Sequence, residues 1–222
     1  MGYHFDFSDL WGYREVFFKG IWLTLFLTAV GCSLGIAVGI GGAASRQYGP
    51  KWLRVIVGAY VEAIRNTPFL VQLFFIFFGL PAMGVKLGEL QAAILTMVVN
   101  LGAYSTEIIR AGLASTHKGQ VEAAESLAMS GPQIFRHVIL VPALRRIWPA
   151  LSSQCVIVML GSAVCSQISA EELTFAANFV ASRNFRNFEV YLVSTVIYLA
   201  LAIGLRYLFR VIGRYVLKMS WE

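Results

Sequence analysis

Charged residues are scarce in this sequence. Asp, Glu, Lys and Arg make up 14% of its 222 residues, whereas 58% of the residues are hydrophobic. Soluble domains carry about 25% charged residues, so the composition excludes an ordinary soluble domain and indicates a membrane protein. A helix needs roughly 20 apolar residues to cross a bilayer, which leaves room for about five crossings.

Residues that usually carry chemistry are also few. The three cysteines, Cys32, Cys155 and Cys165, lie in apolar stretches without CxxC spacing, and the three histidines share no ligand spacing. We therefore predict no metal site. The chain lacks a GxxxxGK[ST] loop for phosphates, and no nucleophile, base and orienting group can be assembled from it. These absences predict a chain that is not an enzyme and binds no cofactor of its own.

Five apolar runs predict an all-α membrane protein with five spanning helices in a single domain, residues 1–222. The runs cover residues 16–44, 52–80, 87–113, 138–167 and a stretch that begins near 190. The N-terminal stretch has no basic segment or cleavage site typical of a signal peptide, so we expect the first helix to be retained. Pro68 lies inside the second run and should kink or break that helix, because proline lacks a backbone donor.

A stripe of glycines marks one face of the first helix. Gly31, Gly35 and Gly39 are spaced by four residues, so they lie one above the other on that face. Small residues at this spacing let membrane helices pack backbone to backbone. The sequence leaves open whether the stripe packs within the chain or against a second subunit.

Lys and Arg residues predict the orientation in the membrane. In membrane proteins the cytoplasmic loops carry more Lys and Arg than the external loops. This rule puts the N-terminus of the chain outside and its C-terminus in the cytoplasm. The cytoplasmic group has eleven members: Arg46, Lys51, Arg54, Lys118, Arg136, Arg145, Arg146, Arg206, Arg210, Arg214 and Lys218. The opposite side has five: Arg14, Lys19, Lys86, Arg183 and Arg186. The last four cytoplasmic residues are typical of anchoring to lipid headgroups, and nothing in the pattern suggests nucleic-acid binding.

A polar segment of about residues 116–137 lies between the third and fourth spans. It contains "VEAAESLAM", which favours a short helix over about 122–129, and a break at "SGP". A bare connection needs only a handful of residues, so a segment of this length predicts a cytoplasmic docking surface for a soluble partner.

This segment resembles the EAA loop of bacterial ATP-binding-cassette (ABC) importer permeases, in which Glu, two Ala, a Gly and a later Ile-x-Leu-Pro recur. The matching residues here are Glu122, Ala123, Ala124, Ile139, Leu140 and Pro142. Two positions differ: Ala128 stands where the pattern usually has Gly, and Pro142 follows Val141, one residue later than the usual Leu-Pro. The resemblance implies that Glu122, Ala123, Ala124, Ala128 and Pro142 couple the chain to an ATPase.

The first half of the chain is similar to permeases that import polar amino acids and opines. Their second helix carries Glu-x-x-Arg-x-Thr-Pro-x-Leu-x-Gln, and every element is present as Glu62, Arg65, Thr67, Pro68, Leu70 and Gln72. The resemblance implies a type I ABC importer permease fold in the bacterial inner membrane. It also implies two ATPase subunits that hold ATP and Mg, a second permease subunit, identical or related, and a periplasmic binding protein.

The external segment of about residues 168–188 is the best candidate surface for that binding protein, although an interfacial helix that caps the path is an equal alternative. The substrate stays open. Relatives often carry Lys-Asp-Thr-Ser after the fourth-helix Gln154, whereas this chain has "MLGSAV" at 159–164.

Polar residues inside the predicted membrane are candidates for the substrate path or its gate, because such groups are costly in hydrocarbon. They are Glu62, Arg65, Asn66, Thr67, Pro68, Asn100, Glu107 and Gln154. Glu62 with Arg65, and Glu107 with Arg110, could instead form intrahelical pairs three residues apart. Asn100 could line a watery cavity or make an interhelical hydrogen bond.

Two other functions compete with the importer. A secondary transporter predicts inverted repeats, yet five helices give no matching halves. A channel subunit without an ATPase partner would leave the EAA-like loop unexplained.

Overall fold

The computed structural model describes residues 4–217, and every regular element in that range is helical. The α-helices are α1 Arg14–Tyr48, α2 Lys51–Arg65, α3 Phe69–Phe74, α4 Leu80–Ala82, α5 Glu89–Ala114, α6 Lys118–Ser126, α7 Gly131–Gln133, α8 Val141–Gly161, α9 Leu173–Asn184 and α10 Asn187–Leu217. Two 3-10 segments, Ser8–Tyr13 and Ser162–Ile168, precede α1 and follow α8. Two π-helical turns, Phe75–Gly79 and Ile134–Leu140, precede α4 and α8.

Four helical stretches within residues 4–217 are long and apolar enough to cross a membrane: Ser8–Tyr48, Glu89–Ala114, Gly131–Ile168 and Asn187–Tyr215. A fifth crossing exists if α2 and Phe69–Ala82 form one broken span. The prediction of an all-α, multi-pass membrane protein is confirmed, whereas the count of five and the side of each terminus stay predictions. Lys218, the last member of the predicted basic stripe, lies outside the described residues.

The second span breaks at Pro68, as the sequence predicts. Helix α2 ends at Arg65, α3 begins at Phe69, and the two parts of the span are bent by 112°. Pro68 is the N-cap residue of α3, a position that needs no backbone donor. The break therefore exposes polar backbone and side-chain groups in the middle of an otherwise apolar run.

Both π-helical turns end just before a proline. Phe75–Gly79 is followed by Leu80 and Pro81, and Ile134–Leu140 by Val141 and Pro142. A proline cannot donate a backbone hydrogen bond and its ring crowds the preceding turn, so that turn widens into i to i+5 bonding. Pro142 thus shapes the entry of α8 into the membrane.

The glycine stripe of α1 packs inside the chain, against α5. A Cβ atom placed on Gly35 would lie 2.8 Å from the Cβ of Leu101, and one on Gly39 would lie 2.3 Å from the Cβ of Ser105. Gly31 faces Met97 in the same way, at 3.2 Å. Because these three glycines have no side chain, α1 and α5 approach each other closely. Their contact forms the centre of the buried core.

Candidate functional site

Gln72 holds the broken span together. Its side-chain Nε2 donates to the Ile64 carbonyl at 2.8 Å and to the Thr67 carbonyl and hydroxyl at 3.0 and 2.9 Å. Its Oε1 accepts from Asn100 Nδ2 of α5 at 2.9 Å. Gln72 is 7% exposed, so one buried amide caps the end of α2 and ties the break to α5.

Asn100 bonds to Gln72 of the broken span. Its side chain makes an interhelical bond, which is the second alternative that the sequence leaves open. Tyr60 OH donates to the carbonyl of the preceding residue, Val99, at 2.6 Å, so α2 and α3 both attach to the same turn of α5. Asn100 therefore supports the break, and a contact with substrate stays a prediction.

The charged groups before the break do not pair with each other. The Glu62 carboxylate accepts from Asn66 Nδ2 at 3.1 Å, while the Arg65 guanidinium lies 5.5 Å from the centre of the Tyr104 ring. No ion pair within 4.0 Å joins Glu62 to Arg65 in the described part of the chain, so the expected intrahelical pair is wrong there. The reason is tertiary, since Tyr104 of α5 offers Arg65 a ring face.

The second expected pair is present and has an additional partner. Glu107 accepts from Arg110 through both carboxylate oxygens, and Arg46 of α1 reaches its Oε2 at 3.0 Å. The Glu107 side chain is 24% exposed. Two guanidinium groups on one carboxylate leave this cluster positive, near the predicted cytoplasmic end of the path. Sequence spacing identified the Arg110 pair but could not identify Arg46, which is 61 residues away.

Gln154, the remaining polar candidate, is half-buried on α8. Its side chain makes no hydrogen bond to any residue in the range 4–217, and no bond joins it to the break or to Glu107. Residues 4–217 also contain no group of three His, Cys, Asp or Glu side chains that could hold a metal ion.

The coupling segment folds into α6, which begins and ends earlier than expected. The helix runs from Lys118 to Ser126, and only Ala124 on it is buried, at 4% exposure. Ala124 is on the face that packs on the π turn, whereas Glu122 and Ala123 are exposed. Leu127, at the end of the helix, is 78% exposed. The segment is thus anchored through Ala124 and exposes the acidic Glu122 and the apolar Leu127.

Ala128 ends this helix in the left-handed region, with φ of +57°. Its backbone N–H donates to Glu125 at 2.9 Å, and the N–H of Met129 donates to Ala124 at 3.2 Å. Helices commonly end with a residue in this conformation, and glycine is favoured because it has no Cβ. The left-handed conformation therefore explains why the EAA pattern usually has Gly at this position. Ala128 adopts it with a strain of about 1 kcal/mol.

The base of α6 is connected to the long helices. Arg146 of α8 donates to the Ser115 carbonyl at 2.9 Å and also contacts the Ser115 hydroxyl, so it holds the end of α5. A cavity of about 370 Å³ separates α6 from the end of α1, and its lining includes Tyr48, Lys118 and Glu122. Pro142 is exposed and follows the π turn that joins α6 to α8.

A buried acid on the predicted external side was not identified from the sequence. Glu172 is fully buried and caps α9, accepting from the Phe175 N–H at 2.9 Å and from Tyr198 OH at 2.5 Å. Thr24 of α1 accepts from the neighbouring Leu173 N–H at 3.2 Å. Burial raises the pKa of the Glu172 carboxyl despite these donors. The usual N-cap residues are Ser, Thr, Asp and Asn, so the sequence gives no strong signal for a Glu in this role.

The predicted external segment also contacts residues near the N-terminus. Arg186, between α9 and α10, lies 3.2 Å from Asp6, 3.5 Å from Glu189 and 4.0 Å from Asp9. Phe185 has φ of +56° and is 86% exposed. The segment therefore has the ion pairs of Arg186 next to the exposed aromatic side chain of Phe185.

Comparison with known proteins gives the family. Residues 31–218 match the family described as binding-protein-dependent transport system inner membrane component. The chain belongs to this family. The glutamine transport system permease protein GlnP of Escherichia coli (strain K12) is 32% identical over 212 residues, which cover 95% of this chain and 97% of that protein. The octopine transport system permease protein OccM of Rhizobium radiobacter is 31% identical over 206 residues, covering 89% of this chain and 84% of that protein.

A solved structure agrees with this membership. The crystal structure of an amino acid ABC transporter with histidines contains a chain that superposes with a TM-score of 0.88 at 32% identity, covering 96% of this chain and 99% of that chain. The predicted resemblance to ABC importer permeases is confirmed. The chain is a permease, a non-catalytic membrane subunit of an ABC transporter that works with an ATPase.

Proposed function

We propose that this permease forms half of the translocation path of an ATP-driven importer for polar amino acids in the bacterial inner membrane. The observation that carries the proposal is the coupling segment, in which α6 is fixed through Ala124 and exposes Glu122 and Leu127. The names of the relatives, which refer to glutamine, octopine and an amino acid, support the substrate class.

The coupling step follows from how α6 is mounted. Two ATPase subunits, which hold ATP and Mg, would close on nucleotide binding and move the α6 helix of each permease. Because Arg146 ties α8 to the end of α5 at Ser115, that movement would shift both helices together. Packed helices change between discrete arrangements rather than bending gradually, so the shift would open the path to the outside.

A second permease subunit, identical or related, would complete the path. Helix α2 has Val61 as its one buried residue and exposes Trp52, Val55 and Ile56. Glu62 and Arg65 add two opposite charges that form no ion pair within the described residues. The exposed apolar residues of α2 suit a twofold interface, and these charges at the end of the helix would then lie beside the path between the two subunits.

The exposed groups at the break would then face the substrate. Glu62, Arg65, Asn66 and Thr67 all lie on the exposed side next to Pro68. Both a cationic and an anionic group are available there, which suits the zwitterionic backbone of an amino acid. The exposed Phe185, which is next to the ion-paired Arg186, supports docking of a periplasmic binding protein on the external segment.

The test is to tag the chain, extract it gently from its native membrane and identify the proteins that copurify. We expect a stoichiometric ATPase subunit and a periplasmic protein whose loading with a polar amino acid stimulates ATP hydrolysis. Transport by the chain without any ATPase would instead support a secondary transporter or a channel. Stimulation by other solutes and not by polar amino acids would overturn the substrate class alone.

A further inference from the structure

A groove of about 320 Å³ lies at the external end of the bundle, between the N-terminal 3-10 turn, α1 and α10. Its lining is apolar apart from one cation, Arg14, and includes Leu10, Trp11, Phe17, Ile21, Val193 and Ile197. The volume falls in the range of small-molecule pockets, which begins at about 300 Å³. The groove is therefore large enough for part of an elongated apolar ligand.

Arg14 is the charged residue in the lining of the groove. It joins the 3-10 turn Ser8–Tyr13 to α1, within the continuous helical stretch Ser8–Tyr48. No carboxylate in residues 4–217 lies within 4.0 Å of its guanidinium. The group instead donates to the Trp11 carbonyl at 3.3 Å and lies 5.8 Å from the centre of the Trp11 ring. Its charge is thus held in place at the groove without an anionic partner.

The groove also lies at the level where lipid headgroups are expected. Trp11 is 75% exposed near the start of the first span, and Tyr191 is 45% exposed near the start of α10. Trp and Tyr are enriched where the membrane meets water. A cation at this level above an apolar groove matches the order of groups in a phospholipid, with its phosphate outside and its acyl chains inside.

We propose that this groove binds one anionic phospholipid, with its phosphate on Arg14 and one acyl chain between α1 and α10. The 3-10 turn Ser8–Tyr13 forms one wall, so the lipid would fasten the N-terminal turn onto both helices. The charge argues against a second copy of this chain, which would have to supply a carboxylate from an apolar surface. A free phosphate would leave the apolar lining in contact with water.

The experiment counts phospholipids on the intact transporter by native mass spectrometry after equilibration in nanodiscs with phosphatidylglycerol. Arg14→Gln removes the charge, and Ile197→Trp fills the groove. Lys19→Gln is the matched control, because Lys19 is also an exposed cation of α1 but does not line the groove. We expect one retained lipid per permease in the wild type and control, and about fivefold weaker affinity for phosphatidylglycerol in Arg14→Gln when the lipid is titrated, the effect of one cation near an anionic headgroup.

Equal retention by Arg14→Gln and the wild type would overturn the proposal, and so would an equal loss in Lys19→Gln. A photoreactive residue at position 197 should capture lipid, and capture of a second permease would show that protein fills the groove instead. If Ile197→Trp fails to fold, Arg14→Gln at its exposed position still decides the result.

Discussion

Asn100 of α5 donates a hydrogen bond of 2.9 Å to Gln72, on the far side of the Pro68 break. This bond links α5, which packs along the glycine stripe of α1, to the sharply bent second span. Gln72 also caps the end of α2 through Ile64 and Thr67. The amide pair therefore ties the break, with its exposed polar groups, to α5.

Removing either amide should destabilise the permease, and removing Gln72 should cost more than removing Asn100. Gln72→Leu leaves the Ile64 and Thr67 carbonyls and the Asn100 amide without this partner and should cost about 1 to 3 kcal/mol. Asn100→Leu removes one interhelical bond and should cost about 0.6 to 1.7 kcal/mol. Thermal unfolding of the purified complex measures both changes. Gln154→Leu is the control, since that amide makes no hydrogen bond within residues 4–217. A double mutant of Gln72 and Asn100 whose effects are strictly additive would contradict the coupling.

Glu122→Lys should uncouple transport from ATP hydrolysis while membrane insertion stays normal. The residue is exposed on α6 and lines the cavity next to Lys118, so a second cation there changes the docking surface. Gln120→Lys is the matched control, because Gln120 is also exposed on α6 but does not line that cavity. Transport and ATPase rates in proteoliposomes give the answer. Loss of insertion in Glu122→Lys would count against a docking role.

Ala128→Gly should stabilise the coupling segment by about 1 kcal/mol, because glycine adopts the left-handed conformation without a Cβ penalty. Ala128→Val should destabilise it, since a β-branched side chain is more strained there. Hydrogen exchange at the amides of residues 118–129 measures the local effect. Identical exchange in the two variants would show that φ at this position carries no strain.

Gly39→Ala should cost about 1 to 3 kcal/mol, the usual penalty for overpacking a close contact. The new Cβ would lie 2.3 Å from Ser105, in the tightest part of the α1 and α5 contact. Gly41→Ala, two residues away, meets nothing within 4 Å and should be neutral or slightly stabilising. Melting temperatures of the two variants compare these expectations, and similar values would argue against close packing at Gly39.

Glu172 should make the stability of the external segment depend on pH. Its folded-state pKa is raised, so its stabilising contribution is complete below the unfolded value of about 4.3 and is lost as pH rises through the higher folded value. Glu172→Gln keeps a neutral side chain of similar size and should flatten this dependence. Melting curves between about pH 4 and 8 test it. A pH dependence that persists unchanged in the variant must come from another group.

The sequence by itself determined the features that depend on neighbouring residues. Low charge and long apolar runs require a membrane, Pro68 interrupts the helix that contains it, and Glu107 pairs with Arg110 one turn away. The short polar segment after α5 likewise follows from its own composition. Each of these outcomes is settled within a few residues of chain, where backbone geometry leaves few alternatives.

Tertiary structure decided the partners that lie far apart in the chain. The sequence did not show that Gly39 packs on Ser105, that Arg65 turns from Glu62 to Tyr104, or that Glu172 meets Tyr198. Such pairs depend on which helix faces which and at what rotation. In a membrane protein many helix faces are similarly apolar, so hydropathy finds the helices, and only close packing and the demand for buried hydrogen bonds select their neighbours.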